Sequence, residues 1–163
     1  MQQAVLVAQL LTLLAVANGT PVIAAKLLGK ERAIPLDGNA ILSDGGRLFG
    51  SSKTLRGVIL SVAMTTACAQ LVGLGWEVGC VVGVGAMIGD LFSSFVKRRL
   101  GRSESSKFTG LDQIPESLFP LLASTALLPL TPLSVATATF VFFVGALVLS
   151  PVFFKLSIRD RPY

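Results

Sequence analysis

The sequence predicts an all-α integral membrane protein, a bundle of about five transmembrane helices, and its composition and hydropathy carry this prediction. Hydrophobic residues make up 52% of the chain and charged residues only 14%, whereas about a quarter of a soluble domain is charged. The mean hydropathy is +0.73, and apolar runs approaching the roughly 20 residues that cross a bilayer recur along the chain. A length of 163 residues indicates a single membrane-embedded domain.

Five apolar segments are the predicted spans: 3–28, 55–75, 78–97, 116–131 and 133–154. The fourth is short, and Pro120 and Pro129 interrupt it, so a re-entrant hairpin over 116–154 stays open as an alternative. The long connections are the predicted cytoplasmic loops 29–54, called loop one here, and 98–115, called loop two.

The basic residues predict the orientation. All fourteen lie in 26–56, in 97–107 or in the tail from Lys155, and the connections near 73–77 and 130–134 have none. Because basic loops stay in the cytoplasm, we expect the N-terminus outside and both long loops and the C-terminus inside. The first apolar run lacks a positively charged start and continues to Leu28, so we expect a retained span. These features predict a multi-pass membrane protein.

The charge and cysteine content narrow the chemistry. The net charge is +5, but the basic residues lie between apolar runs, which favours lipid headgroups and nucleotide phosphates over nucleic acid as partners. The chain has no histidine and two cysteines, and both cysteines lie in apolar runs. Neither a disulfide framework nor a zinc site is therefore predicted.

Asp90 is the most informative residue, because it lies in a glycine-rich apolar helix ahead of three basic residues. Helix geometry places Ser94 and Lys97 on the face of Asp90, with Lys97 about 10 Å further along. An unpaired carboxylate at this depth costs on the order of 3 kcal/mol and usually lines a polar cavity. A structural ion pair between Asp90 and a lysine is the alternative. Arg99 falls on the opposite face and is expected to contact lipid headgroups.

Asp112 follows a serine-rich loop and precedes the fourth span. If it lies beside Asp90, the two carboxylates would hold Mg²⁺, which prefers oxygen ligands and completes its shell with substrate phosphates. The alternative is that Asp112 caps the next helix. The steps from Gly75 to Gly79 and Gly83, and from Gly85 to Gly89, predict close helix packing in lipid.

Loop one contains Asp44-Gly45-Gly46-Arg47 and a run from Gly50 to Gly57 that includes Lys53, Thr54 and Arg56. Neither a strand nor the spacing of a P-loop is present. Glycine amides and basic side chains at a helix start nevertheless suit a triphosphate. A basic loop that only sets the topology is the alternative. Asn18, near Pro21, either satisfies a freed backbone group or faces the site.

Together these motifs resemble the CDP-archaeol synthase family, which is related to the phosphatidate cytidylyltransferases. The resemblance is carried by Asn18 with Pro21, by Pro35-Leu36-Asp37-Gly38, by Asp44–Gly50 with Lys53–Gly57, by Gly89-Asp90 with Ser94–Leu100, and by Leu111-Asp112-Gln113. It implies transfer of CMP from CTP to a membrane glycerol-phosphate lipid, an archaeol-type dialkyl lipid or a relative. The products would be CDP-lipid and pyrophosphate, for phospholipid synthesis, and the resemblance implies a prokaryotic inner or plasma membrane as the location. Pro115-Glu116 stands where the family tends to have a more apolar start of the fourth span.

The resemblance and the residue chemistry together imply a set of roles. The catalytic residues would be Asp90, Asp112 and Lys97, with Asp90 and Asp112 holding Mg²⁺. The nucleotide-binding residues would be Asp44, Gly45, Arg47, Lys53, Thr54, Arg56, Ser94 and Arg98, and those at the lipid phosphate Lys26 and Asn18.

Other functions stay open at this point. A diacyl acceptor would make the chain a phosphatidate cytidylyltransferase, and a lipid-phosphate kinase or phosphatase fits the chemistry as well. A non-catalytic transporter or assembly subunit belongs to a different class. Transport is disfavoured because Asp90, Ser94 and Lys97 crowd one end of their helix, while only Glu77 lies near the other.

Overall fold

The computed structural model describes residues 2–29, 33–104 and 106–155, except for the side chains of residues 152, 153 and 155. Its elements are α1 (Gln2–Leu27), α2 (Leu55–Leu71), α3 (Trp76–Arg99), α4 (Ile114–Ser124) and α5 (Pro132–Lys155). Within these ranges the extended pairing is limited to two isolated bridges, Pro35 with Thr54 and Ile41 with Arg47. The predicted all-helical fold is confirmed. Lys30, Arg32, Arg159 and Arg161, which contributed to the predicted orientation, lie outside the described residues.

The helices differ in their ability to cross a membrane alone. In the described part of the chain, α1, α3 and α5 are long and apolar enough to do so. Helix α2 has 17 residues and α4 has 11, and 11 residues rise only about 17 Å. The predicted span 116–131 therefore differs from the structure. Helix α4 ends at Ser124, whose carbonyl accepts from the amides of Leu127 and Leu128 in a turn, and the chain continues without helix to residue 131.

The short connections both lie at the N-terminal end of α1. Gln3 Nε2 donates to the Pro129 carbonyl at 2.8 Å, Ser134 Oγ donates to Gln3 Oε1 at 2.7 Å, and Gln9 Nε2 donates to the Val72 carbonyl at 2.7 Å. The chain thus crosses the whole bundle between Gln113 and Pro129, rather than turning back to the end where it entered.

Both long loops lie at the other end of the bundle. Arg56 Nη2 donates to the Gly29 carbonyl at 2.6 Å, which joins the start of α2 to the end of α1. Ser51 of loop one contacts Glu104 of loop two. This arrangement agrees with the prediction that both long loops lie on the same side of the membrane. Which side that is stays a prediction.

Helix α3 lies between α2 and α4, and its glycines allow both contacts. A Cβ at Gly79 would lie 2.6 Å from Ala69 Cβ, and one at Gly89 only 2.2 Å from the Pro115 carbonyl oxygen. The predicted close packing at these glycines is confirmed. At Gly89 the approach has a consequence for function, since it brings the first turn of α4 next to Asp90.

The core fills the interior of this bundle with apolar side chains from all five helices. Its buried members are Leu10, Leu13, Leu14, Ala69, Val78, Val82, Leu121, Val135 and Ala138, with a second cluster of Ala17, Ala86 and Met87. Large apolar side chains such as Leu71 and Leu133 are 87% and 76% exposed. An outer surface of this kind fits a lipid environment, where apolar groups have no water to avoid.

Candidate active site

Asp90 in α3 binds a lysine of loop one. Lys53 Nζ lies 2.5 Å from Asp90 Oδ1 and 2.6 Å from Oδ2, with the lysine side chain 23% and the aspartate side chain 18% exposed. Burial alone would lower the pKa of Lys53, but attraction to Asp90 and Glu116 outweighs it and raises the pKa above its usual value. A cationic residue of loop one therefore reaches the carboxylate in the helix.

Glu116 supplies a second carboxyl group beside Asp90, a feature that the sequence analysis missed. A Cβ at Gly89, the residue before Asp90, would lie 2.7 Å from the Glu116 backbone nitrogen, so the two acidic residues are neighbours across the contact between α3 and α4. The contact depends on Gly89, because the first turn of α4 rests on the α3 backbone there. The sequence clue was an acid in the first turn of an otherwise apolar helix.

Asp112 pairs with the other lysine of the site. Lys97 Nζ lies 2.6 Å from Asp112 Oδ1, and the Phe108 amide donates to Asp112 Oδ2 at 2.9 Å. The residue preceding α4 is Gln113, and the aspartate makes no cap contact with that helix. The capping alternative for Asp112 is therefore wrong.

Lys53 contacts Asp90 and is also influenced by two further acids. Asp90, Glu116 and Asp112 all attract its ammonium group, and Lys97 is close enough to attract Asp90 as well. Asp90 and Asp112 are each paired with a different lysine, and their joint role as metal ligands stays a prediction. This region contains three carboxyl groups and two lysines, so the carboxyl groups outnumber the cations that could pair with them.

The acidic side chains of this site would supply only part of the coordination shell of a divalent cation. Among the described residues, no three or more acidic, histidine or cysteine side chains converge tightly enough to enclose a metal ion. Mg²⁺ rarely needs such a cage, because it binds through one or two carboxylates and takes its other ligands from water and substrate phosphates. Asp90 with its neighbour Glu116, and Asp112, are oxygen donors of that kind.

Asp37 organises loop one. Its carboxylate accepts from Arg47 Nη2 at 2.5 Å and Nε at 3.3 Å, and from the amides of Asn39, Phe49 and Gly50. Burial alone would raise the pKa of Asp37, but Arg47 and the three amides hold it well below the usual range. The guanidinium of Arg47 is thereby fixed, and its pKa is raised by the same bond.

Arg99 ties loop one to the end of α3. Its Nη1 lies 2.5 Å from Asp44 Oδ2, its Nη2 donates to the Arg47 carbonyl at 2.7 Å, and its guanidinium stacks on the Phe95 ring. The prediction that Arg99 contacts lipid headgroups is wrong, because loop one folds back over that face of the helix. Asp44 also accepts from the Gly46 amide, so that the turn containing Gly45 is held in place.

Other predicted nucleotide-binding residues have local partners. Thr54 Oγ1 accepts from the Gly57 amide and caps α2. Arg56 donates to the carbonyls of Leu28 and Gly29, and Arg98 to that of Ser103. Their assignment to the nucleotide stays a prediction.

Three further residues were predicted to contact the substrates: Ser94, Asn18 and Lys26. Ser94 is buried in α3, between the turns that carry Asp90 and Lys97. Asn18 Nδ2 donates to the Leu14 carbonyl at 3.0 Å, which is the backbone role that the sequence left open. Lys26 is exposed in the last turn of α1.

Comparisons with known proteins identify the relatives of this chain. The family model described as CarS-like CDP-archaeol synthase matches residues 75–163, more than half of the chain. The CDP-archaeol synthase of Pyrobaculum calidifontis is 32% identical over 162 residues, covering 91% of each chain. The match to that of Sulfolobus acidocaldarius is 35% identical over 85 residues and spans about half of either protein, 49% of this chain and 52% of the relative.

A solved structure matches the fold of this chain over most of the length of both proteins. The structure, described as that of an intramembrane enzyme for archaeal membrane lipids biosynthesis, superposes with a TM-score of 0.75 at 31% identity. The match covers 86% of this chain and 89% of the other. The family expected from the motifs is confirmed: this chain belongs to the CDP-archaeol synthase family.

Proposed function

We propose that this chain transfers CMP from CTP to the phosphate of an archaeol-type dialkyl glycerol lipid, releasing CDP-lipid and pyrophosphate. Membership of the CDP-archaeol synthase family supports this activity. The observation that carries it is the contact between Lys53 of loop one and Asp90 within the helical bundle, since it joins a basic loop that suits phosphates to an acid that suits a metal ion.

The reaction requires no protein nucleophile. An oxygen of the lipid phosphate attacks the α-phosphorus of CTP, the bond from that phosphorus to the bridging oxygen breaks, and pyrophosphate leaves. Catalysis then consists of aligning two anions and stabilising the charge that develops on the leaving group. Lys53, Lys97 and Arg47 supply positive charge within one region, and Asp37 fixes the orientation of Arg47. Arg98, Arg56, Ser94 and the Asp44-Gly45 turn are the proposed outer contacts of the nucleotide.

Asp90 and Asp112 are the proposed ligands of Mg²⁺, with Glu116 as a further oxygen donor next to Asp90. Bound there, the ion would neutralise charge on the CTP phosphates. The lysines now paired with Asp90 and Asp112 would then be released to contact phosphate oxygens directly. In this exchange, the lysines would neutralise the charge of the acids without substrate, and Mg²⁺ would neutralise it with substrate.

The acceptor lipid lies in the membrane in this proposal, with its phosphate at the level of Asp90. Lys26 and Asn18 of α1 are the proposed contacts of that phosphate, and the membrane is the prokaryotic plasma membrane. A diacyl acceptor and a non-catalytic transporter are disfavoured, because the matching family model and the relatives named above are CDP-archaeol synthases.

An acceptor panel tests the activity. Purified full-length protein in detergent is supplied with radiolabelled CTP, Mg²⁺ and either a dialkyl or a diacyl glycerol phosphate, and CDP-lipid is separated by thin-layer chromatography. We expect product with the dialkyl acceptor. If neither acceptor yields CDP-lipid, the proposed activity is wrong, and a strong preference for the diacyl lipid would correct the acceptor.

Metal binding is tested separately from turnover. Mn²⁺ replaces Mg²⁺ as a paramagnetic probe, and its binding is measured for the wild type, for Asp112→Asn and for Glu116→Gln. Loss of a carboxylate near the ion is expected to weaken binding about tenfold or more. If Glu116→Gln weakens Mn²⁺ binding and Asp112→Asn does not, the metal pair is Asp90 with Glu116.

A further inference from the structure

Glu104 of loop two is bound by loop one in the way that a phosphate would be. Its Oε2 accepts from the Ser51 amide at 3.1 Å and from Ser51 Oγ at 2.5 Å. Its Oε1 lies 3.9 Å from Arg47 Nη1. A backbone amide, a hydroxyl and a guanidinium therefore converge on one anionic group from another segment.

The backbone around this group is shaped to receive it. Gly50 has φ +103°, a conformation that strains any other residue, and a Cβ there would lie 3.1 Å from Glu104 Cδ, so the glutamate packs closely on the bare backbone. The Gly50 amide is already bound to Asp37, which fixes the turn and leaves the next amide, that of Ser51, for the anion. Because Asp37 also fixes Arg47, the cradle exists as a unit.

The cradle lies close to the reacting groups of the proposed function. Ser51 precedes Lys53 by two residues, and two residues of chain span at most about 7 Å. Lys53 in turn contacts Asp90. An anion that replaced Glu104 would thus lie one short step of backbone from the acid pair of Asp90 and Glu116.

We propose that Ser51, Arg47 and the turn at Gly50 form a phosphoryl-binding cradle, and that Glu104 is a built-in competitor which occupies it until a substrate phosphoryl group enters. This inference rests on the proposed function and names a subsite of it. The ligand is a phosphoryl group of CTP or of the lipid acceptor, since the cradle chemistry is the same for both. Entry of the ligand displaces Glu104 and frees the start of loop two, so that loop two responds to substrate.

The test measures equilibrium binding to full-length protein in detergent by titration calorimetry. The probes are the α,β-methylene analogue of CTP, inorganic pyrophosphate and a short-chain dialkyl glycerol phosphate. Glu104→Gln keeps an oxygen for Ser51 but removes the charge, and we expect the bound probe to gain about three- to tenfold in affinity, an amount typical of residues that share partners. The probe that gains identifies the source of the phosphoryl group.

Two further variants separate competition from a general loss of negative charge. Glu104→Asp keeps the charge but shortens the side chain, and it should also tighten binding. In a Ser51→Ala background, the gain from Glu104→Gln should shrink, because the two residues act through the same contact. Glu77→Gln at the opposite end of the bundle changes the net charge equally and should leave affinity unaltered.

The outcomes distinguish this inference from the proposed function. A wild-type protein that fails to bind the CTP analogue contradicts the proposed function. A wild-type protein that binds it, with no gain for any probe on Glu104→Gln, or with the same gain in both Ser51 backgrounds, overturns the cradle alone. Weaker binding of every probe by Glu104→Gln would show that Glu104 supports the site instead of competing for it.

Discussion

Two aspartates receive basic side chains of loop one, and they differ in how completely their oxygens are used. Asp37 binds Arg47 through both oxygens and also accepts from three backbone amides, with its side chain fully buried. Asp90 binds Lys53 and has a second carboxyl group, that of Glu116, beside it. The hydrogen bonds of the first centre are complete, whereas the second places two carboxyl groups beside a single direct cation.

The difference indicates which centre performs chemistry. A buried polar group whose hydrogen bonds are all made stabilises one conformation and has nothing to offer a ligand. Clustered acids that share a lysine can exchange that lysine for another cation without leaving an unpaired charge, and functional sites concentrate such arrangements. Changes at Asp90 should therefore remove activity, and changes at Asp37 should loosen the loop.

The largest expected effect is that of Asp90→Asn on turnover. We expect kcat to fall about 100- to 1,000-fold, the usual result of removing a principal electrostatic group from a site. The fold should persist, because Glu116 remains to balance Lys53. CDP-lipid formation and the monodispersity of the heated protein are measured on one preparation. An unfolded variant, or one with near wild-type turnover, would contradict the distinction between the two centres.

Asp37→Asn should mainly reduce stability. The asparagine side chain has one acceptor oxygen, whereas the donors around Asp37 now share two carboxylate oxygens. A buried donor is therefore left without a partner, at a cost on the order of 2 kcal/mol. Because Arg47 loses its fixed orientation, KM for CTP should rise more than kcat falls. Thermal unfolding and steady-state kinetics check both parts, with Asp44→Asn, at a more exposed ion pair, as the control that changes stability less. A fall confined to kcat would assign Asp37 to the chemistry instead.

Acid should remove the contribution of Asp37 only at low pH. Arg47 and the amides lower the pKa of Asp37 below its ordinary value of 3.8, despite burial. A lowered pKa gives stability that is complete above the ordinary value and is lost as the pH falls below it. The difference in thermal stability between wild type and Asp37→Asn should be constant from about pH 8 to pH 5 and shrink below about pH 4. A difference that already shrinks between pH 7 and pH 5 would contradict this account.

The sequence predicts the helices well because apolar length and turn residues are local properties. It fails for the fourth span, where hydrophobicity continues to Leu130 but the helix ends at Ser124. The hydropathy of a segment indicates whether it partitions into lipid or into water. It carries no information on where a helix ends in a turn closed by a serine carbonyl. The same segment still crosses the bundle, as the contact of Gln3 with Pro129 requires.

The candidate site is predictable only within single helices. The spacing of Asp90, Ser94 and Lys97 places them together because a helix fixes their phase. The pairing of Lys53 with Asp90 joins residues 37 positions apart, and the role of Glu116 depends on how closely α4 approaches Gly89. Arg99 was misplaced for the same reason, since helix phase cannot show that loop one covers that face.

The smallest expected effect separates local structure from ligand binding at Thr54. The motif assigns this residue to the nucleotide, yet its hydroxyl caps α2 by accepting from Gly57. Thr54→Ala should cost about 1 kcal/mol of stability, as cap removal usually does, and should leave the affinity for the CTP analogue within about twofold, a difference of about 0.4 kcal/mol. Thr54→Ser, which keeps the hydroxyl, should restore stability. If Thr54→Ala instead binds the analogue much more weakly while its melting temperature is unchanged, the hydroxyl leaves its cap to contact the nucleotide, and loop one rearranges at the start of α2 when substrate binds.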